Sequence, residues 1–172
     1  MINILKQLKN ERALAEFHSA EGRGRFCVGF CLDYDDEFYL LEAVTPDGRW
    51  DGFSCRLIDD VDMVQVDSIY LGKIKKLMPF YNCTHREFPI TDKTVLDQML
   101  DYLVKGRKIC TVETVNDTMI SGFVNEVFEG VIKISIINSD GAADGVSYIR
   151  KADIGFISVD SEDEVKLEIL SK

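Results

Sequence analysis

Four residues in the first half of the chain have the types and spacings of a zinc site. Cys27 and Cys31 form a C-x₃-C pair, and Cys83 and His85 form a C-x-H pair, so together they offer the soft ligands that zinc prefers. The two cysteines of the first pair, however, stand where aliphatic residues stand 93 residues later, in a repeat described below. Cysteines in such places are most simply small buried hydrophobic side chains. We therefore expect no metal site here.

Two acidic runs contain the carboxylates that a hard cation such as calcium would need. They are residues 33–37, DYDDE, and residues 160–164, DSEDE. Neither run has the spacing or the central glycine of an EF-hand loop. Because charged residues at hairpin tips and chain ends are usually solvated, we expect no calcium site either.

The residues available for acid–base or nucleophilic catalysis are few. His18 and His85 are the only histidines, and neither belongs to a recognisable arrangement with a nucleophile and an acid. The chain also lacks a glycine-rich phosphate loop. We expect His18 to be a partly buried strand residue, and we expect no enzyme activity and no cofactor. An enzyme whose site is invisible in the sequence is the third alternative, after the two functions described below.

The charge of the chain disfavours binding to polyanions. Thirty acidic residues against twenty basic ones give a net charge of -10, and such a field slows the approach of nucleic acid. A local basic patch can still exist on an acidic protein, and the clearest one is formed by Lys73, Lys75 and Lys76.

The remaining composition is typical of a soluble globular protein. Hydrophobic residues make up 46% of the chain, and no stretch approaches the about 18 apolar residues of a membrane span. The start, MINILKQLKNER, is charged and amphipathic, unlike a signal peptide. The five cysteines form an odd set without dense spacing, which favours free thiols in a reducing compartment. We therefore expect a cytoplasmic protein.

An internal repeat organises the sequence. Residues 47–52 read DGRWDG and residues 140–145 read DGAADG, an offset of 93 residues. At the same offset, without gaps, identical residues continue to coincide, and apolar character is kept at many of the other positions. The coinciding residues include Gly29 and Gly122, Phe30 and Phe123, Ser54 and Ser147, Asp60 and Asp153, Lys73 and Lys166, and Leu77 and Leu170. A chance match of turn residues would not keep register so long, so we interpret the halves as two copies of one module.

Each copy has the pattern of a helix followed by five short strands. Short β-branched and aromatic runs alternate with Asn-Asp, Glu-Gly, Asp-Gly and Ala-Asp turns, which is typical of antiparallel hairpins. A helical stripe precedes each set, with Ile2, Leu5 and Leu8 in the first copy and a longer apolar stripe after Thr91 in the second. We predict a first module at residues 1–71, a linker at residues 72–90 that packs between the modules, and a second module at residues 91–172.

A helix followed by five short, strongly bent strands resembles the Sm-like (LSm) fold, one of the small SH3-type barrels. The first Sm motif places a glycine between two apolar residues and an Asp six places after the glycine. The matching residues are Cys27, Gly29, Cys31 and Asp35 in the first copy, and Ile120, Gly122 and Val124 in the second, where Phe128 replaces the Asp. The second Sm motif centres on Ile-Arg-Gly, and Ile149 and Arg150 resemble it, with Lys151 in place of the glycine. The first copy has Arg56-Leu57-Ile58 there, with neither the Arg nor the Gly in place.

The resemblance implies an all-β fold class with short helices, built as two tandem helix-plus-five-stranded small barrels. In RNA-binding Sm proteins an Asn ten residues after the motif glycine contacts the base, but here that position holds Tyr39 in the first copy and Ile132 in the second. A tyrosine ring can stack on a base, whereas an isoleucine side chain cannot read a base edge. The resemblance thus makes Tyr39, Arg150 and Lys151 the candidate nucleic-acid contacts.

Two functions follow from these observations. Sm-like proteins assemble into rings by pairing strands of neighbouring barrels, so the resemblance implies a non-catalytic interaction module that binds a protein partner or copies of itself. Binding of RNA or another single-stranded nucleic acid is the alternative. Arg49 and Trp50 at the hairpin tip are candidate partner contacts, because a turn does not need a Trp; the other interpretation is that Trp50 packs back onto its own protein.

Overall fold

The chain divides into two compact units, and the boundary between them lies where the predicted second module begins. The computed structural model describes residues 1–19 and 26–172, and the units are Met1–Ile90 and Thr91–Lys172. The predicted linker at residues 72–90 belongs to the first unit. From the sequence, LAEFHSAEG (14–22) and RFCVGFCLDY (25–34) are the first two predicted strands, and the part of them within residues 20–25 lies outside the described residues.

The described residues of the first unit form two α-helices and five strands. Its elements are α1 (Ile2–Glu11), β1 (Leu14–Ser19), β2 (Phe26–Tyr34), β3 (Phe38–Val44), β4 (Trp50–Leu57), a 3-10 turn (Ile58–Asp60), β5 (Val61–Val66) and α2 (Ile69–Leu77). All the pairings of neighbouring strands in this unit are antiparallel, in the order β5-β1-β2-β3-β4.

The second unit repeats this series. Its elements are α3 (Val95–Gly106), β6 (Ile109–Thr114), β7 (Met119–Phe128), β8 (Val131–Ile137), β9 (Ala143–Arg150), a 3-10 turn (Lys151–Asp153), β10 (Ile154–Val159) and α4 (Glu162–Leu170). Its pairings are antiparallel in the order β10-β6-β7-β8-β9. In the described part of the chain no helix is long and apolar enough to cross a membrane.

The predicted fold class of two closed barrels is wrong. Over residues 1–19 and 26–172 the protein is mostly β, with ten strands in open antiparallel sheet and four α-helices, and the strands at the two ends of each unit's order are not hydrogen-bonded to each other. Closure needs these two strands to pair, since a barrel is a sheet bonded back onto itself. Alternation and turn residues specify the hairpins between consecutive strands, but they do not specify whether the ends of a sheet meet.

The offset of 93 residues is a property of the structure as well as of the sequence. From β3 onward each element of the first unit recurs at this offset with the same length, as β4 (Trp50–Leu57) does in β9 (Ala143–Arg150) and α2 (Ile69–Leu77) in α4 (Glu162–Leu170). The breaks in strand pairing recur too, at Cys31/Asp33 and at Val124/Glu126. The bounds of these elements agree with the offset read from the sequence, but α2 crosses the predicted boundary between residues 71 and 72, and α4 begins in the acidic run at residues 160–164.

In the described part of the first unit, buried apolar side chains form a cluster on each side of the sheet. Leu5 and Leu8 of α1 pack in one cluster with Phe17, Tyr39 and Leu41 of the strands. Leu71 and Ile74 of α2 belong to the other cluster, with members drawn from β1, β2 and β3. Because successive strand residues face opposite sides, each helix covers one parity of the same strands.

The repeated Asp-Gly motif is a hairpin turn that supports the end of a helix. The backbone N–H of Gly141 donates to the carbonyl of Asn138 at 3.0 Å, and the Asn138 side chain accepts from Ala142 N at 2.9 Å. In the first unit Gly48 N donates to Thr45 O at 2.9 Å. Both glycines have a positive φ, and a Cβ on Gly141 would lie 2.4 Å from the Leu170 carbonyl carbon at the end of α4. The motif therefore needs glycine for backbone geometry and for space.

Two glycine substitutions in the DGAADG motif, one in the turn and one at the start of β9, separate those causes. Gly141 and Gly145 both have positive φ, but an added Cβ meets α4 only at Gly141 and meets nothing within 4 Å at Gly145. We expect Gly145→Ala to lower the free energy of unfolding by about 1–2 kcal/mol, the cost of a left-handed alanine. Gly141→Ala should lose about 1–3 kcal/mol more because of the overlap. Urea denaturation measures both, and equal losses would show that the turn does not support the helix.

Candidate functional site

Tyr39, the candidate for stacking on a base, lies in the core of the first unit. Its side chain is 2% exposed, and its ring stacks on Phe17 with centroids 5.2 Å apart. Burial raises the pKa of the Tyr39 hydroxyl well above its usual value. A base could reach this ring only if the packing of α1 on the sheet opened. The position in β3 that resembles the ligand-contacting position of Sm proteins is therefore a core position in this conformation.

Arg150 and Lys151, the candidate phosphate or base contacts, each have a carboxylate partner in the second unit. Arg150 Nε lies 2.6 Å from Asp153 Oδ2, and Lys151 Nζ lies 2.5 Å from Asp97 Oδ1 at the start of α3. Partial burial alone would raise the pKa of Asp97, but hydrogen bonds from Lys151 and Thr94 outweigh it and lower that pKa. Both cations are thus engaged within the protein, and Tyr39 belongs to the other unit.

Arg49 and Trp50, the candidate partner contacts, face the stretch that we predict as a linker. The Arg49 guanidinium lies over the Tyr81 ring, 4.6 Å from its centroid, and the Arg86 guanidinium lies over the Trp50 ring at 5.0 Å. Trp50 also meets Phe53 edge to face. Its buried indole N–H has no acceptor among the described residues. Trp50 therefore packs against its own unit, which is the second of the two interpretations that the sequence allows.

A buried carboxylate that the sequence reading missed anchors the same stretch. Glu42 in β3 is 1% exposed, accepts the backbone N–H of Arg86 at 2.7 Å, and hydrogen-bonds with His85 Nδ1 at 2.6 Å. The His85 ring meets Phe30 edge to face at 4.5 Å. A buried charge is costly unless it is paired, so these bonds hold residues 83–88 against β3. The available signal was one charged residue inside the apolar run FYLLEAV.

The thiols occupy structural positions. Cys31, Cys55 and Cys110 are buried, and all five cysteines are free. Burial raises the pKa of Cys31 and of Cys110 to about 12, so these sulfurs stay protonated and unreactive at neutral pH. Within residues 1–19 and 26–172, no group of three or more His, Cys, Asp or Glu side chains could hold a metal ion.

The most exposed regular element is β9. In the described sheet it pairs only with β8, and its burial differs sharply from that of β4, its counterpart in the repeat. The central residues of β4, 52–55, are buried, whereas Val146 and Tyr148 of β9 are 49% and 62% exposed. The Tyr148 ring meets exposed Phe128 edge to face. An apolar strand edge of this kind is a template for pairing with another strand.

The fifth strands of the two copies show the opposite contrast. β5 pairs only with β1 among the described strands, and it exposes Met63 and Val66, each 47%. In β10 the residue that corresponds to Val66 is Val159, which is fully buried. The described strands therefore end in two exposed edges, the fifth strand of one copy and the fourth strand of the other. We call the exposed faces of β9 and β5 the two edge surfaces.

Comparisons with known proteins add no family. No protein-family model matches the chain, and a search of the curated proteins finds no matching sequence. The likeness to Sm-like proteins therefore stays a prediction from short motifs, and function has to be argued from the surfaces described above.

The role of Glu42 is tested by Glu42→Gln, which keeps the shape of the side chain and removes its charge. Because Glu42 receives the Arg86 amide, we expect hydrogen exchange at that amide to accelerate about tenfold or more. The free energy of unfolding should fall by about 1–3 kcal/mol. Glu87→Gln, an exposed change in the same stretch, is the matched control. Unchanged exchange at Arg86 in the Glu42 variant would show that another contact holds residues 83–88.

Proposed function

We propose that this protein is a non-catalytic interaction module that associates with copies of itself through its edge surfaces. The observation that supports this proposal most is β9, which pairs with one strand only among the described strands and exposes Val146 and Tyr148. Its unpaired backbone groups supply hydrogen bonds to an added strand, and its apolar side chains supply burial.

Another molecule of the same protein is the favoured partner, because the two edge surfaces are different strands of one module. The fourth strand is buried in the first copy and exposed in the second, and the fifth strand is exposed in the first copy and buried in the second. The fourth strand and the fifth strand are thus each buried in one half of the chain, so the module can accommodate a covered strand at either place. Pairing β9 of one chain with β5 of the next covers both exposed edges with one contact.

Such a contact is head to tail, so an open assembly keeps a free β9 at one end and a free β5 at the other until a ring closes. Heterologous contacts of this type produce rings when the rotation between subunits closes and open filaments when it does not. The expected products are therefore closed rings or concentration-dependent chains, in contrast to a symmetric dimer that stops at two subunits.

Lysine substitutions that block one edge at a time test this proposal. Val146→Lys with Tyr148→Lys places charges on β9, and Met63→Lys with Val66→Lys places them on β5; charged edges resist strand pairing. We expect each variant alone to lose assemblies larger than a dimer and to be mainly monomeric. Mixing the two should produce a dimer, because each supplies the edge that the other lacks. Solution mass by analytical ultracentrifugation measures all three samples.

Met119→Lys is the control, since Met119 is an exposed apolar residue of β7 and lies on neither edge surface. It should leave the mass of the wild-type assembly unchanged. A wild-type chain that stays strictly monomeric at high concentration would refute the proposal, and so would a mixture of edge variants that forms no dimer.

The alternative function, RNA binding, has less support from the structure. Tyr39 is buried, Arg150 and Lys151 are paired with carboxylates, and the net charge is -10. We therefore expect short U-rich and A-rich RNA to show no binding in a titration at low salt, where electrostatic binding is strongest. Binding that weakens steeply as salt increases would support the nucleic-acid function instead.

A further inference from the structure

The helices that end the two units have opposite charge. α2 contains Lys73, Lys75 and Lys76 and no acidic residue, whereas α4 contains Glu162, Asp163, Glu164 and Glu168 and one lysine, Lys166. The two helices are counterparts in the repeat and have the same length. They occupy the same place in the repeat, but α2 carries a net charge of +3 and α4 a net charge of -3 by count of these side chains.

The outward side of α2 is apolar between its lysines. Ile69 is 97% exposed, and an open groove of about 540 Å³ is lined by Ile69, Gly72, Lys73, Lys76 and Leu77. These residues are spaced three and four apart, so they form one side of the helix. A Cβ added to Gly72 would meet nothing within 4 Å, so another helix can approach closely at this point. Burying Ile69 would remove a large apolar side chain from water.

The outward side of α4 is apolar as well. Val165, Ile169 and Leu170 are 43%, 66% and 55% exposed, although a surface helix normally turns polar residues outward. Val165 and Ile169 are four residues apart, and Glu162 and Glu168 lie on either side of them at helical spacing. The helix therefore presents an aliphatic stripe flanked by carboxylates. The opposite side of α4 is held to the unit by Glu164. Its buried carboxylate accepts hydrogen bonds from Ser158 Oγ at 2.6 Å and from Ser161 N at 2.9 Å.

We infer that α4 of one chain docks against the groove of α2 on a second copy of this chain. The occupant follows from charge complementarity: the aliphatic stripe of α4 fits an apolar groove rimmed by Lys73 and Lys76, and its flanking glutamates meet those lysines. Like-charged pairs, α2 on α2 or α4 on α4, would place charges of one sign against each other, which is costly. The contact is therefore heterologous, between the first unit of one chain and the second unit of another.

This contact goes beyond the edge pairing proposed above and uses a separate surface. It shares with that proposal only the identity of the partner, a second copy of the chain. Two nine-residue helices bury much less than the about 1,200 Å² of a standard interface. We therefore expect a weak contact, with a Kd on the order of 0.1 mM, that further weakens as salt screens the charges.

The test uses full-length chains whose edges are both blocked by lysine at Met63, Val66, Val146 and Tyr148, so that strand pairing does not contribute. Sedimentation equilibrium up to about millimolar concentration measures their remaining association. In this background, Lys73→Glu with Lys76→Glu should weaken association at least about tenfold, and so should Glu162→Lys with Glu168→Lys. Mixing the two variants should restore it, because the unchanged α2 of one chain then faces the unchanged α4 of the other, and their two reversed helices also have opposite charge. Circular dichroism checks that the helix content of the chain is unchanged by the substitutions in α4.

Lys75→Glu is the matched control, because Lys75 does not line the groove and already pairs with Asp67. It changes the net charge in the same direction and should leave association within about twofold of the edge-blocked parent. Edge-blocked chains that remain monomeric at every concentration and salt would overturn the helix contact, and so would association that is insensitive to the charge reversals. Either result leaves the edge-pairing proposal to be judged separately, by comparing the wild type with the edge-blocked chain.

Discussion

A close approach between two strands, repeated in both units, determines how each sheet is built. A Cβ on Gly29 would lie 2.3 Å from the Glu42 carbonyl oxygen, and one on Gly122 would lie 2.0 Å from the Ser135 carbonyl oxygen. Only glycine permits that distance between β2 and β3, or between β7 and β8. The pairing breaks a few residues later in each case, and such an irregularity bends the strand. The hairpin shape therefore depends on a missing side chain.

The bent hairpin in turn positions the remaining elements of the module. β4 and β9 follow through a turn whose glycine rests on the last residue of the helix that closes the unit, Leu77 or Leu170. The helix covers one side of the sheet, and a helix at the start of the first unit covers the other. The same sequence of constraints in both halves explains why the shared residues of the two copies are concentrated at turns and close approaches, where substitution is sterically costly.

The residues that differ between the copies are those that define surfaces. Glu42 binds residues 83–88 in the first unit, whereas its counterpart Ser135 donates to the Asn125 side chain. The fourth strand is buried in one copy and exposed in the other, and the terminal helices differ in charge. The same order of elements therefore carries a different set of contacts in each unit. No cluster among the described residues suggests metal chemistry, and the buried thiols have raised pKa values.

The sequence by itself determined the local features: strands, hairpin turns, the leading helices and the offset of the repeat. These follow from alternation, from turn residues such as those of DGRWDG and DGAADG, and from helical spacing, all of which act between neighbours in the chain. Only the tertiary structure decided that the sheets stay open, that Tyr39 faces the core, that Arg150 and Lys151 meet carboxylates, and that Glu42 holds residues 83–88. The physical reason is that strand alternation shows which side chains share a face, but burial and pairing depend on what the rest of the chain packs against that face.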